Sequence, residues 1–194
     1  MSQNFKQLLQ KSKGALLASN PLIVNSLAEF GESTSFVYGI SSTPFGKVLI
    51  AKTEQGISDL WFVNEEELFI KKLFNKYFLA NFIEDNLAVQ KLSDKIFLEK
   101  DLSNVNLCPK GTEFQQKVWT SLVKIPAGVV VSYADIAKSI EKPDAQRAVG
   151  TAIGKNPILY LIPCHRVIKS NGELGGFAAG TDLKSKLLGY EFSS

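Results

Sequence analysis

The chain has 194 residues, 45% hydrophobic and 21% charged, which suffices for one good core or two small ones. No apolar run approaches the roughly 20 residues of a membrane span, and the basic N-terminal stretch MSQNFKQLLQKSKGALL has too short an apolar segment, with no clear cleavage site, to read as a signal peptide. Two cysteines and one histidine make no disulfide framework and too few zinc ligands, so the expectation is free thiols, a cytoplasmic chain, no metal and no cofactor.

Net charge is +3, and its placement is uneven: 12 Lys+Arg face 12 Asp+Glu through residue 110, and 10 face 7 after it. Three charges are few, and alone they favour chance over a polyanionic partner.

In chain order, residues 1–33 carry apolar positions at helical spacing: Phe5, Leu8 and Leu9, then Leu16 and Leu17, then Ile23, Leu27 and Phe30. Pro21 disfavours helix at Asn20, so the segment reads as two short helices or a partly ordered arm. SFVYGISST, GKVLIAKT and GISDLWFV are short β-rich runs separated by Pro-Phe-Gly and Glu-Gln-Gly turns, an antiparallel meander. EEELFIKKLFNKYF (65–78) opens with acids and repeats apolar residues every three or four, an amphipathic helix. NLAVQKLSDKIFLEKD fits either element, and NVNLCP reads as one more strand. A boundary falls near Pro109–Gly111.

Beyond it, Thr112 is placed to cap a helix with apolar face Phe114, Val118, Leu122 and Ile125, ended by Pro126 and Gly128. SYADIAKSIEKPDAQRAVGTAIGKNP divides into two helices. One is capped by Ser132 and runs to about Ile140; the other has Asp144 near its start and runs to about Gly154. Two short helices with a tight turn suggest a helix-turn-helix. The second is built from Ala145, Ala148, Gly150, Ala152 and Gly154 with one long cation, Arg147. Such a face suits close helix packing at least as well as entry into a narrow DNA groove.

IPCHRVI (162–168) holds the only histidine, His165, beside Cys164. A thiol has a pKa near 8.5 and only its thiolate is a good nucleophile, so an adjacent imidazole is placed to keep it reactive. Neighbours on an extended strand point to opposite faces, so a bend or a bridging water is required. A carboxylate should orient the other imidazole nitrogen; Glu173 and Glu191 are both candidates. A Cys-His pair alone is more often a buried structural cysteine. Here, however, Asn156 precedes the apolar run PILYLIP that ends at the thiol, and glycine-rich SNGELGGFAAG (170–180) follows as a candidate pocket wall. Cys108 has no such setting and reads as filler.

IPCHRV, taken with GTEFQQKVWTSLVKIPAGVVVSY, RAVGTAIGKNP and GFAAGTDLKSKLLGYE, resembles the O6-alkylguanine-DNA alkyltransferases, the methylated-DNA–protein-cysteine methyltransferases. The resemblance runs from about 111 to 191 and includes SFVYGISSTPFGKVLIAKTEQGISDLWF (34–62); residues 1–33 lie outside it. It implies an α/β chain in two domains: an N-terminal ribonuclease-H-like antiparallel sheet with a helix (34–109) and a mostly helical C-terminal domain with a helix-turn-helix (110–194), after an arm of unknown role (1–33).

The implied activity is DNA repair by direct reversal. An alkyl group passes from a flipped O6-alkylguanine, with O4-alkylthymine a further candidate, to Cys164 in a single turnover. The implied partner is double-stranded DNA met at the minor groove by a monomer. By position, His165 would take the thiol proton through a water, Glu191 would orient it, and Asn156 would tie the DNA-binding helix to the active-site loop. Tyr133 would donate to guanine N3 and help rotate the phosphate, and Arg147 would replace the flipped base. Ala148, Gly150 and Arg166 would also meet DNA. The Cys164 and Val167 carbonyls would accept from the guanine 2-amino group, with Phe177 as aromatic wall and the Ala178 amide facing O6. Ala179 would add a methyl near the pocket mouth and disfavour bulky O6-benzyl groups.

Two other function classes compete with this reading. A lesion-binding relative without transfer would lack Cys164. A cysteine hydrolase would leave the paired helices and Arg147 unexplained.

Overall fold

The computed structural model describes residues 5–12, 22–24 and 30–193. These fall into two compact units, one of residues 21–110 with 157–159, the other of 1–20, 111–156 and 160–194. Of the described residues before 34, 5–12 group with the C-terminal part, and 22–24 and 30–33 with the sheet.

The first unit is built on a six-stranded sheet. Strands β2 (Ser35–Thr43), β3 (Gly46–Thr53) and β4 (Gly56–Phe62) form the antiparallel meander. The hairpins close where Thr43 pairs with Gly46 and Thr53 with Gly56. Three further strands run parallel to their neighbours: β1 (Ile23–Val24), β5 (Asn81–Glu84) and β6 (Asn106–Leu107), giving the order β1-β6-β4-β3-β2-β5. The sheet is therefore mixed rather than antiparallel. Ile23, expected at helical spacing, lies in a strand paired to Asn106. Most of that expected second helix lies outside the described residues.

Helix α2 (Glu66–Lys76) matches the amphipathic run, and α3 (Asn86–Phe97) resolves the ambiguous one. Asp85 caps α3 by accepting from the Ala88 amide at 2.8 Å. Phe36, Tyr38, Leu49, Leu73 and Tyr77 make the core between sheet and helix, with Phe36 and Tyr77 stacked at 4.5 Å. Fully buried Asp59 joins β4 to the α2 end through Lys76 Nζ (2.6 Å) and Tyr77 Oη (2.8 Å).

The second unit is mostly helical. Helix α1 (Phe5–Lys11) belongs to it, as do α4 (Glu113–Val123), α5 (Tyr133–Ser139), α6 (Gln146–Gly154) and α7 (Thr181–Phe192). A two-stranded parallel ladder joins β7 (Val131–Ser132) to β8 (Val167–Ile168). Thr112 and Ser132 each accept from the third residue of the helix they cap. Gln115 and Asp135 bond back, completing both capping boxes. Helix α6 begins at Gln146, two residues beyond Asp144, with no side-chain cap.

Trp119 of α4, buried, donates its indole N–H to the Ala152 carbonyl of α6 at 2.9 Å. That bond ties α6 to the unit's core without a bulky side chain on α6 itself. Among the described residues no helix is long and apolar enough to cross a membrane.

Candidate active site

The chain reaches Cys164 from the end of α6. Asn156 follows that helix, its own amide bonding the Ile153 carbonyl at 3.1 Å. Its side-chain Nδ2 donates to the Ile162 carbonyl (2.8 Å) and to Cys164 Sγ (3.0 Å). One buried amide thus links the helix terminus, the apolar run and the thiol.

Cys164–Arg166 is a turn of 3₁₀ helix, not extended strand. This supplies the bend that adjacent nucleophile and imidazole require. It also separates the roles of the neighbours. Cys164 Sγ meets Asn156, while His165 Nε2 meets Glu191 Oε1 at 2.9 Å. The choice between carboxylates is decided by geometry: Glu173 pairs with Lys169 on the surface, and Glu191 lies on the imidazole.

Charge states follow from burial and partners. For Glu191, burial pushes the carboxyl up, but hydrogen bonds from His165 and Arg166 outweigh it and hold the group down at about 2. It is ionised at neutral pH, so Nε2 carries the imidazole proton. His165 is fully buried, and burial lowers its pKa against the pull of Glu191. The ring is therefore neutral, with the lone pair on Nδ1. That atom is buried and takes no hydrogen bond among the described residues. Tyr160 lies parallel to the imidazole (6.1 Å, 9°) and Phe177 edge-on to it (6.4 Å, 80°), fixing the ring plane.

Burial pushes the Cys164 thiol up to about 11, with Asn156 and Lys184 offsetting only part of that. At pH 7 roughly one site in ten thousand is thiolate. The resting cysteine is therefore neutral, and its proton must leave during reaction.

A cavity of about 280 Å³ opens at the thiol, lined by Tyr133, Gly150, Ile153, Gly154, Cys164, Gly176, Phe177 and Ala178. That is close to the lower end of small-molecule sites, about 300 Å³. Tyr133, Gly150, Phe177 and Ala178 were expected at the site. Arg147 and Ala148 lie on the exposed face of α6, beside the cavity-lining Gly150.

One expectation is corrected. Arg166 is turned inward. Its Nε and Nη2 grip both Glu191 oxygens at 2.7–3.1 Å and its Nη1 bonds the Ile125 carbonyl, so it is not a surface cation. Val167 is fully buried, and its carbonyl, the atom expected at the guanine 2-amino group, accepts from Lys184. Ala178 lies at the cavity wall.

Sequence reasoning missed Lys184. Its buried ammonium donates to the carbonyls of Val167 (2.6 Å), Leu174 and Gly176 (3.3 Å). Burial lowers its pKa to about 8. It ties the strand after the 3₁₀ turn to the loop that forms the cavity wall. The signal was present: 184, 187, 188 and 191 fall on one stripe of a helix, so Lys184 and Glu191 sit in line with buried Leu187 and Leu188.

A family model described as 6-O-methylguanine DNA methyltransferase, DNA binding domain, matches residues 113–192. The methylated-DNA–protein-cysteine methyltransferase of Methanosarcina mazei is 39% identical over 158 residues, covering 79% of this chain and 96% of that protein. The inducible methylated-DNA–protein-cysteine methyltransferase of Bacillus subtilis is 41% identical over 150 residues, covering 73% and 82%. Among solved structures, Mycobacterium tuberculosis OGT in complex with DNA is similar at a TM-score of 0.66 and 34% identity, covering 81% of this chain and 93% of that one. With likeness of this depth along most of both partners, and with the buried thiol, imidazole and carboxylate in one arrangement, the chain belongs to the methylated-DNA–protein-cysteine methyltransferase family.

Proposed function

We propose that this chain repairs O6-alkylguanine in double-stranded DNA by moving the alkyl group onto Cys164, once per molecule. The observation that carries the reading is the neutral, buried thiol on the cavity, held by Asn156 and followed by an imidazole whose Nδ1 has no partner among the described residues.

The neutral thiol must lose its proton as it attacks. A water between Sγ and Nδ1 passes that proton to His165, and Glu191 stabilises the imidazolium so formed. The sulfur lone pair displaces the alkyl carbon in line: an S–C bond forms, the C–O6 bond breaks, and the electron pair stays on guanine. Tyr133 donates to guanine N3 as charge builds there, and guanine takes up a proton in leaving. The thioether is stable, so no second cycle follows. Arg166 acts by fixing Glu191 through a bidentate fork.

In this reading α5 and α6 work as a helix-turn-helix at the minor groove. The small exposed face of α6 lets the backbone approach, and Arg147 fills the space of the flipped base. The Cys164 and Val167 carbonyls each already accept one protein hydrogen bond, and a second lone pair on each remains for the guanine 2-amino group. The sheet-bearing unit is the ribonuclease-H-like domain, and the protein acts as a monomer.

The test is to incubate the protein with a duplex containing one O6-methylguanine and map the product by mass spectrometry. One methyl on the peptide containing Cys164, at one per chain and lost in Cys164→Ser, is expected. Tight binding without an adduct, or repeated turnover, overturns the reading.

A further inference from the structure

Helix α1 lies outside the stretch that carries the family resemblance, and the relatives above leave about a fifth or more of this chain uncovered. It has seven residues, far below the roughly 12–15 at which an isolated helix becomes even marginal in water. Packing must therefore hold it. Its half-buried Phe5, Leu8 and Leu9 form one face at i, i+3 and i+4 and join a cluster around Val130, Ile168 and Leu188.

Two contacts of that cluster bear on the active site. Leu174, on the loop after β8, packs into it. Phe5 meets Phe192 (6.4 Å between centroids), the residue after Glu191. The same loop also touches α1 backbone to backbone. At Gly172, where φ is +90°, a Cβ would lie 2.8 Å from Lys6 Cβ and 3.1 Å from its Cα. On its other side the loop meets Tyr133, whose Oη lies 3.0 Å from where a Cβ on Gly175 would stand. The next residues, Gly176, Phe177 and Ala178, line the cavity. The loop is thus wedged between α1 and Tyr133, with Lys184 holding its Leu174 and Gly176 carbonyls.

We propose that helix α1 is a positioning element for alkyl transfer: it braces the cavity-wall loop at Gly172 and Leu174 and the Glu191-bearing end of α7 at Phe192. The inference rests on the transfer reading for its rate consequence, but not for its structural one. If a loop needs α1 to stay put, loss of α1 docking misplaces Phe177 and Ala178 against the base. Small misplacement of that kind lowers reaction rate more than association.

The test uses the full chain and the variant Leu8→Asp, which puts a charge into the packed face. Hydrogen exchange is read without DNA, and the single-turnover rate is read at saturating O6-methylguanine duplex. The expected result is faster exchange at 169–178 with α4 unchanged. The saturated rate should fall roughly tenfold and the half-saturating duplex concentration stay within about twofold, with both restored in Leu8→Met. Should Leu8→Asp lower protection throughout, Leu8→Ala is read the same way at the loop. Unchanged loop exchange and rate, with α1 amides fully exchanging, overturn the proposal. If the loop responds but no variant or parent acquires methyl, the transfer reading fails and the brace stands.

Discussion

At Glu191 one carboxylate takes hydrogen bonds from His165 and from Nε and Nη2 of Arg166, with its side chain only 5% exposed. Removing one member of such a buried set leaves the others uncompensated, which typically costs 3–5 kcal/mol. Glu191→Gln is therefore expected to lower stability by about that amount at pH 7, read from urea unfolding, and to slow methyl transfer. The pH dependence has a definite sign. Glu191 titrates near 2 when folded against an ordinary 4.5, so its contribution is present above 4.5 and lost as pH falls toward 2. His165, lowered from 6.5, adds in the same direction: below 6.5 the unfolded chain binds a proton that the folded one resists. Stability should fall continuously on acidification from 6.5, and Glu191→Gln should remove the part of the slope below 4.5. At this scale Cys164, His165 and Asn156 were legible because their residue types stand together in sequence. Arg166 and Lys184 were not, because a cation reads as solvent-facing until its carboxylate or carbonyl partners, up to 41 residues away, are placed around it.

Among the elements, α6 carries the argument for DNA. Val149, Ala152 and Ile153 are buried, and Arg147, Ala148, Thr151 and Gly154 form the exposed side. Arg147 is thus the one long cation on a face of small residues. Extruding a base costs a few kcal/mol, which a wedge helps to offset. Arg147→Ala is expected to slow transfer from duplex O6-methylguanine roughly tenfold or more while leaving transfer from the free base nearly unchanged; an equal loss on both substrates would assign Arg147 to folding instead. Helices with caps were readable to within a residue or two, as Thr112 and Ser132 show. Of the parallel strands, β6 falls within NVNLCP, which read as a strand, whereas β5 and β1, with four and two residues, are too short to show a period of two.

Across the whole molecule the +3 charge is modest and arises after residue 110. One of the two arginines there, Arg166, is sequestered by Glu191 and adds nothing to an external field. Within α6, Arg147 is the one cation, so undamaged duplex should bind weakly. A plot of log affinity against log salt should have a slope of roughly −2 to −4, at about −0.9 per phosphate contact. A slope near −8 would mean a far larger basic footprint than α6 and its surroundings offer. The sequence changes from strand-like to helix-like patterning near 110, whereas the joining of residues 157–159 to the sheet unit, through Leu60, had no local sign.

A reagent that fires only once must also survive idleness. Cys164 is 4% exposed with its thiol protonated, and oxidants and stray electrophiles attack anionic, accessible sulfur. The same desolvation that makes the proton hard to remove keeps each molecule unfired on the shelf until a guest fills the chamber beside it.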